Sequence, residues 1–159
     1  MKKLLPLFIS AIFAASVFGD VVRPAPNFTW GGINGSSKAL SSLVDQPVIL
    51  IIAPSPKSSG FKKQLKNVER LYRQYAGRQA LFVAAFTREP GVVESDVPFL
   101  YATDPQSIAA SYELGSEKYE VVVIGPDRNI DLVTNNVVTG ERIRDVIDNG
   151  YTRQVVRRK

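Results

Sequence analysis

The segment Pro54–Gly60, which reads PSPKSSG, gathers the residue types of this chain that could do chemistry. Three hydroxyls, those of Ser55, Ser58 and Ser59, surround the amine of Lys57. A serine next to a neutral lysine can act as a nucleophile in hydrolysis. A turn that opens a helix also offers backbone N–H groups and a positive dipole end to an anion. The segment therefore predicts that Ser58 or Ser59 caps the helix, and the same turn could also bind an anion. A Ser/Lys hydrolase is the alternative.

Several other chemistries are excluded by composition, because the 159 residues include no cysteine and no histidine. Thiol–disulfide exchange and peroxide reduction need a thiolate, and a Ser-His-Asp triad needs an imidazole. Transition metals prefer the same two side chains. Glu89, Glu94 and Asp96 could hold a hard cation, but their spacing matches no calcium loop. We therefore expect no metal site and no cofactor.

Residues 1–19, MKKLLPLFISAIFAASVFG, predict a signal peptide. Lys2 and Lys3 supply its positive start, an apolar run follows, and small residues precede Asp20. The run is shorter than the roughly 20 residues that a membrane-spanning helix needs. We expect a bacterial protein that is periplasmic or secreted after cleavage, with no transmembrane span in the mature chain.

The elements that position the Pro54–Gly60 segment can be predicted from hydrophobic patterns. Continuous apolar runs predict buried strands at Val48–Ala53, Ala80–Phe86 and Glu120–Ile124. A helix is predicted over Ser59–Tyr75, ended by Gly77. Its buried stripe should contain Phe61, Leu65, Val68, Leu71, Tyr72 and Tyr75.

Turn and capping residues predict the remaining elements. In chain order they are a hairpin from Phe28 to Leu40 with Trp30 in the core and a turn at Asn34-Gly35, a helical turn at Ser41–Val44, a short strand, a helix capped by Asp104, a returning strand at Ile130–Val133, and a helix from Thr139 to Gly150. Strands alternating with helices indicate a mixed α/β sheet covered by helices on both faces. We predict one domain over residues 20–152 and a basic tail over 153–159.

Three segments together resemble the thioredoxin-like fold, in its peroxiredoxin and thiol-disulfide oxidoreductase branch. They are APNFTWGGINGSSKALSSLVDQPVILIIAPS, VPFLYATDPQSIAASYEL and EVVVIGPDRNI. The resemblance covers Pro24–Asn149, and an uncharacterised bacterial family of short thioredoxin-like proteins is a further match. The resemblance to the thioredoxin-like fold implies a three-layer sandwich with an N-terminal β-hairpin.

The chain departs from this family at the residues that do its chemistry. On the family pattern, Lys57 and Gly60 stand at the two cysteine positions, and Tyr119 stands at the cis-proline. A non-proline cis bond costs about 2.5–4 kcal/mol, so we expect Lys118–Tyr119 to be trans. The resemblance therefore implies a scaffold without thiol redox activity, whose former active-site turn, together with Tyr119, could bind a ligand.

The charge of the chain suggests what it binds. The net charge is +5, and the predicted helix carries Lys62, Lys66, Arg70 and Arg73 on its outer side. This basic surface favours acidic partners, although a merely solvated helix face is the simpler interpretation. Export and the lack of aromatic residues among the cations argue against nucleic acid. We predict an exported, non-catalytic protein that binds an envelope protein or a small anionic ligand.

Overall fold

The computed structural model describes residues 23–31, 35–74 and 79–150. The predicted signal peptide, Asn34, Tyr75, Gly77 and the basic tail lie outside the described residues. Within them the predicted order of strands and helices is confirmed. The elements are β1 (Thr29–Gly31), β2 (Ser37–Ala39), β3 (Val48–Ala53), α1 (Ser59–Gln74), β4 (Leu81–Phe86), β5 (Phe99–Tyr101), α2 (Pro105–Ser111), β6 (Glu120–Ile124), β7 (Ile130–Thr134) and α3 (Gly140–Asn149).

Most boundaries agree with the sequence patterns. The bounds of β3 and β6 are those predicted, β4 begins one residue later than Ala80, and β7 runs one residue beyond Val133. The helical turn predicted at Ser41–Val44 is a 3-10 turn over Leu40–Ser42, so it begins one residue earlier and ends two residues earlier than predicted. Asp104 caps α2 by accepting from the backbone N–H of Ser107 at 3.1 Å, as predicted.

Five strands form one mixed sheet in the order β5-β4-β3-β6-β7. The central strand β3 is parallel to β4 and antiparallel to β6. The carboxyl ends of β3 and β4 therefore meet the start of β6 at one edge of the sheet. The hairpin β1–β2 is a separate two-stranded sheet, tied to the region after β5 by a bridge between Trp30 and Ala102.

Alternate residues of β3 point into two hydrophobic cores. Ile49, Ile51 and Ala53 pack with α1 and α3, whereas Val48, Leu50 and Ile52 pack with α2 and the hairpin. Trp30 is 1% exposed, as its predicted core position requires. This three-layer arrangement confirms the thioredoxin-like fold class. Among the described helices, none combines the length and apolar character needed to cross a bilayer.

Candidate functional site

The turn Pro54–Gly60 joins β3 to α1 at the sheet edge where the two parallel strands end. The hydroxyl of Ser55 accepts from the backbone N–H of Lys57 at 3.2 Å, and the hydroxyl of Ser58 donates to the carbonyl of Ser55 at 2.8 Å. Ser58 thus bonds back into the turn, which differs from the predicted cap. Two of the three serine hydroxyls stabilise the turn itself, while Lys57 and Ser59 are exposed.

The surroundings of Lys57 bear on the hydrolase alternative. Its side chain is 78% exposed, and its Nζ lies 3.8 Å from Oε1 of Glu89. A lysine that serves as a general base must be neutral, which burial promotes. The amine of Lys57 is instead exposed and lies beside a carboxylate. The geometry therefore gives no support to a Ser/Lys hydrolase at this turn.

Tyr119 lies directly against the first turn of α1. A Cβ placed on Gly60 would be 2.9 Å from Cγ of the tyrosine ring and 3.0 Å from its Cδ2, which is closer than real Cβ contacts. The peptide bond before Tyr119 is trans, as predicted, because the described backbone contains no cis bond. The ring therefore covers Gly60, the position that the resemblance matches to a cysteine.

The hydroxyl of Tyr119 is fixed by a buried amide. It donates to Oε1 of Gln64 at 2.9 Å, and Gln64 is 0% exposed. Burial raises the pKa of Tyr119, so the phenol remains a protonated donor at neutral pH. Tyr119, which is predicted to be a ligand-binding residue, is half-buried against the first turn of α1.

The side chain of Gln64 also bonds to the backbone N–H and carbonyl of Val138, which lies just before α3. Its Nε2 donates to the carbonyl of Val138 at 2.9 Å, and the N–H of Val138 donates to its Oε1 at 2.8 Å. Asn67 donates to the same carbonyl at 3.0 Å. Sequence reasoning missed Gln64, although a polar residue three positions after Phe61 inside a predicted buried stripe was a visible signal.

A second polar cluster lies on the opposite face of the sheet, at the start of β6. Glu120 is 9% exposed, and among the described residues its Oε1 has no hydrogen-bond partner; nor does the hydroxyl of Tyr112 at the end of α2. Burial raises the pKa of Glu120, and the guanidinium of Arg23 opposes that rise. Burial and the charge of Glu120 raise the pKa of Tyr112. The sequence reasoning did not single out any of these groups.

We expect the E120Q variant to be more stable than the wild type above pH 4.5, which is the usual pKa of the glutamate carboxyl group. Because the pKa of Glu120 is raised in the folded state, its ionisation opposes folding. This penalty is absent below the unfolded pKa and grows as pH rises through the folded value. Urea unfolding at several pH values checks this: the stability difference should increase with pH. Equal stability of the two proteins across this range would contradict it.

The predicted basic residues are exposed along α1 and do not converge on the turn. Lys62, Lys66, Arg70 and Arg73 lie on the side of the helix opposite its buried residues. Of the predicted stripe, Phe61, Val68 and Leu71 are buried, and Leu65 and Tyr72 are half-buried. Within the described residues, no three acidic side chains gather as a metal ion would require. The structure thus brings together Ser55, Lys57, Ser58, Ser59, Gly60 and Tyr119, whereas the predicted basic residues of α1 form a separate surface.

Solved structures with this fold include several thiol proteins. A protein described as a disulfide isomerase from Bacteroides thetaiotaomicron has a TM-score of 0.60 and 18% identity, covering 83% of this chain and 92% of its own. Peroxidoxin BcpB from Mycobacterium tuberculosis has a TM-score of 0.54 and 20% identity, and the match covers 78% of this chain and 90% of its own. BsSco, of the Sco family of cytochrome c oxidase assembly proteins, has a TM-score of 0.57 and 12% identity, and the match covers 79% of this chain and 92% of its own. These likenesses establish the thioredoxin-like fold.

Sequence comparison gives a family without an assigned activity. No curated protein matches the sequence. A family sequence model described as "Domain of unknown function (DUF4174)" matches residues 45–155, which include the turn, the whole of α1, Tyr119 and Glu120. Since this match spans well over half of the 159 residues, the chain belongs to the DUF4174 family, here a cysteine-free domain of thioredoxin-like fold.

Proposed function

We propose that this chain is an exported, non-catalytic protein that binds a partner protein or a small anionic ligand. The observation that carries the proposal is the turn before α1, where Lys57 and Ser59 are exposed while the ring of Tyr119 covers Gly60. The chain has no cysteine with which to perform the thiol chemistry of its structural neighbours. Such a surface can offer contacts, but it holds no buried base or nucleophile.

Export is the second part of the proposal, and it is supported by residues 1–19. Their positive start, apolar run and small residues before Asp20 are typical of a signal peptide. The protein would then act as a single domain over residues 20–152, in the periplasm or outside the cell. An envelope protein or an anion in that compartment is the ligand that this location makes available.

The small-ligand arm concerns the first turn of α1, whose N–H groups point away from the helix, with Lys57 close by. We expect phosphate and sulfate, titrated into ¹⁵N-labelled protein, to shift the amide resonances of Ser59 and Gly60. The Lys57→Ala variant should weaken this binding at least threefold, because it removes the nearest cation. Lys38→Ala, which removes an exposed cation from the hairpin, should leave it unchanged. Shifts scattered over the surface, or none, would rule out an anion site at this turn.

The partner-protein arm is tested by co-purification of the tagged protein from its native envelope after mild crosslinking. A protein that is captured reproducibly, and is absent when an unrelated thioredoxin-fold protein is used as bait, would support the proposal. If the envelope yields no such partner and neither anion binds, the proposed function is rejected.

A further inference from the structure

The outer face of α1 concentrates the positive charge of the molecule. The helix spans 16 residues and contains five cations but a single acid, Glu69, so its net charge is +4, against +5 for the whole chain. The side chains of Lys62, Lys63, Lys66, Arg70 and Arg73 are all exposed. We call these five residues the basic face.

The cations of the basic face are not neutralised by their surroundings. Among the described residues, no ion pair is recorded for a side chain of the basic face, whereas Lys57 pairs with Glu89 and Arg88 with Glu117. Glu69, which could pair along the helix with Arg73, instead accepts a hydrogen bond from the hydroxyl of Ser95 at 2.8 Å. A run of like charges repels itself, so an anionic partner would relieve a strain already present in the folded protein.

The chemistry of the basic face disfavours a lipid surface. Helices that lie in a membrane interface expose an apolar side beside their cations. The apolar side of α1 is buried against the sheet through Phe61, Val68 and Leu71. The large hydrophobic residues that are exposed in the described structure are Val44, Val92 and Val137, and none of them belongs to α1.

The spacing of the charges favours a helical partner. Lys62, Lys66 and Arg70 follow one another at four-residue steps, which separates them by about 6 Å along the helix axis, and Arg73 adds one further step of about 4.5 Å. Acidic residues at positions i, i+4 and i+8 of a second helix have the same repeat. Rows of this kind on two helices can pack against each other along their length.

We propose that the basic face binds an acidic α-helical segment of a partner protein, with Asp or Glu at four-residue steps. This deepens the proposed function, on which it rests, by naming the surface and the class of partner. Binding would be electrostatic, fast in its association and sensitive to salt.

The test uses a defined probe and a matched pair of variants. The probe is an alanine-rich helical peptide with Glu at i, i+4 and i+8, and its comparison is a scrambled peptide of equal composition. We expect the first peptide to shift the amide resonances of α1 in the ¹⁵N-labelled protein at 50 mM salt, and to lose at least tenfold in affinity at 500 mM. Lys66→Glu/Arg70→Glu should weaken binding at least tenfold. Lys38→Glu/Lys118→Glu changes the net charge equally at exposed sites outside α1, and should change affinity less than threefold.

Several outcomes would overturn the inference while leaving the proposed function intact. Equal affinity for the scrambled peptide would show that charge alone, without the four-residue repeat, drives binding. The basic face would be assigned to lipid if the wild type captures phosphatidylglycerol-containing vesicles, Lys66→Glu/Arg70→Glu does not, and the peptide shifts no amide resonance of α1. An envelope partner retained in full by that variant would place the partner elsewhere on the protein.

Discussion

Replacing Gln64 with leucine should lower the free energy of unfolding by about 3–5 kcal/mol, because the N–H of Val138 and the hydroxyl of Tyr119 would lose their partner and the carbonyl of Val138 would keep only Asn67. Leucine fills a similar volume but cannot accept from the N–H of Val138 or the hydroxyl of Tyr119, nor donate to the carbonyl of Val138. An unsatisfied buried donor or acceptor costs about 1–3 kcal/mol. A loss of this size is a large part of the stability of a typical domain, about 5–15 kcal/mol. Urea denaturation of the two proteins measures it.

Two milder variants measure how much single hydrogen bonds around Gln64 contribute to the free energy of unfolding. Asn67→Ala removes a second donor to the carbonyl of Val138, which Gln64 still satisfies, so a cost near 1 kcal/mol is expected. Tyr119→Phe removes one of the two donors to Oε1 of Gln64 and should cost a similar amount. Amide exchange at Val138 should accelerate in Gln64→Leu, and hardly at all in Tyr119→Phe. A Gln64→Leu protein as stable as either milder variant would contradict the role assigned to Gln64.

The elements of this fold could be predicted because the features that specify them are local. An unbroken apolar run such as Val48–Ala53 can be recognised without knowing its neighbours, since a strand buried on both faces is apolar at each position. Capping residues such as Asp104 and Thr139 act on amides three residues away. Local signals of this kind also placed the turn at Pro54–Gly60 and the cations of α1.

The polar contacts around the turn could not be predicted, because their partners are distant in sequence. Gln64 is satisfied by a residue 74 positions away and by a tyrosine 55 positions away. A sequence pattern indicates that such a residue lies in a buried stripe, but not which backbone groups will reach it. Glu120 presents the same difficulty, because its pKa is raised by burial in the folded protein and lowered by Arg23, a residue distant in sequence.

The packing of Tyr119 explains why the departure from the thiol proteins extends beyond the missing cysteines. On the resemblance drawn from the sequence, Gly60 stands at one cysteine position and Tyr119 at the cis-proline, and the structure places these two residues in direct contact. A Cβ at position 60 would lie inside the contact distance of the tyrosine ring. The residue at position 119 therefore limits what position 60 can hold. Introducing cysteines by Lys57→Cys and Gly60→Cys would place the side chain of residue 60 where the ring of Tyr119 already lies.

Gly60→Ala should accordingly destabilise the protein by about 1–3 kcal/mol, the usual cost of forcing an extra methyl group into a filled space. The new Cβ would lie 2.9 Å from Cγ of Tyr119, and the ring cannot move freely because its hydroxyl is bonded to Gln64. Alanine is otherwise the better helix residue by up to about 1 kcal/mol, so a net loss would show that the contact dominates. Gly31→Ala is the matched control, since a Cβ there meets nothing within 4 Å. In a Tyr119→Ala background the cost of Gly60→Ala should vanish or reverse; if it persists, the ring is not its cause.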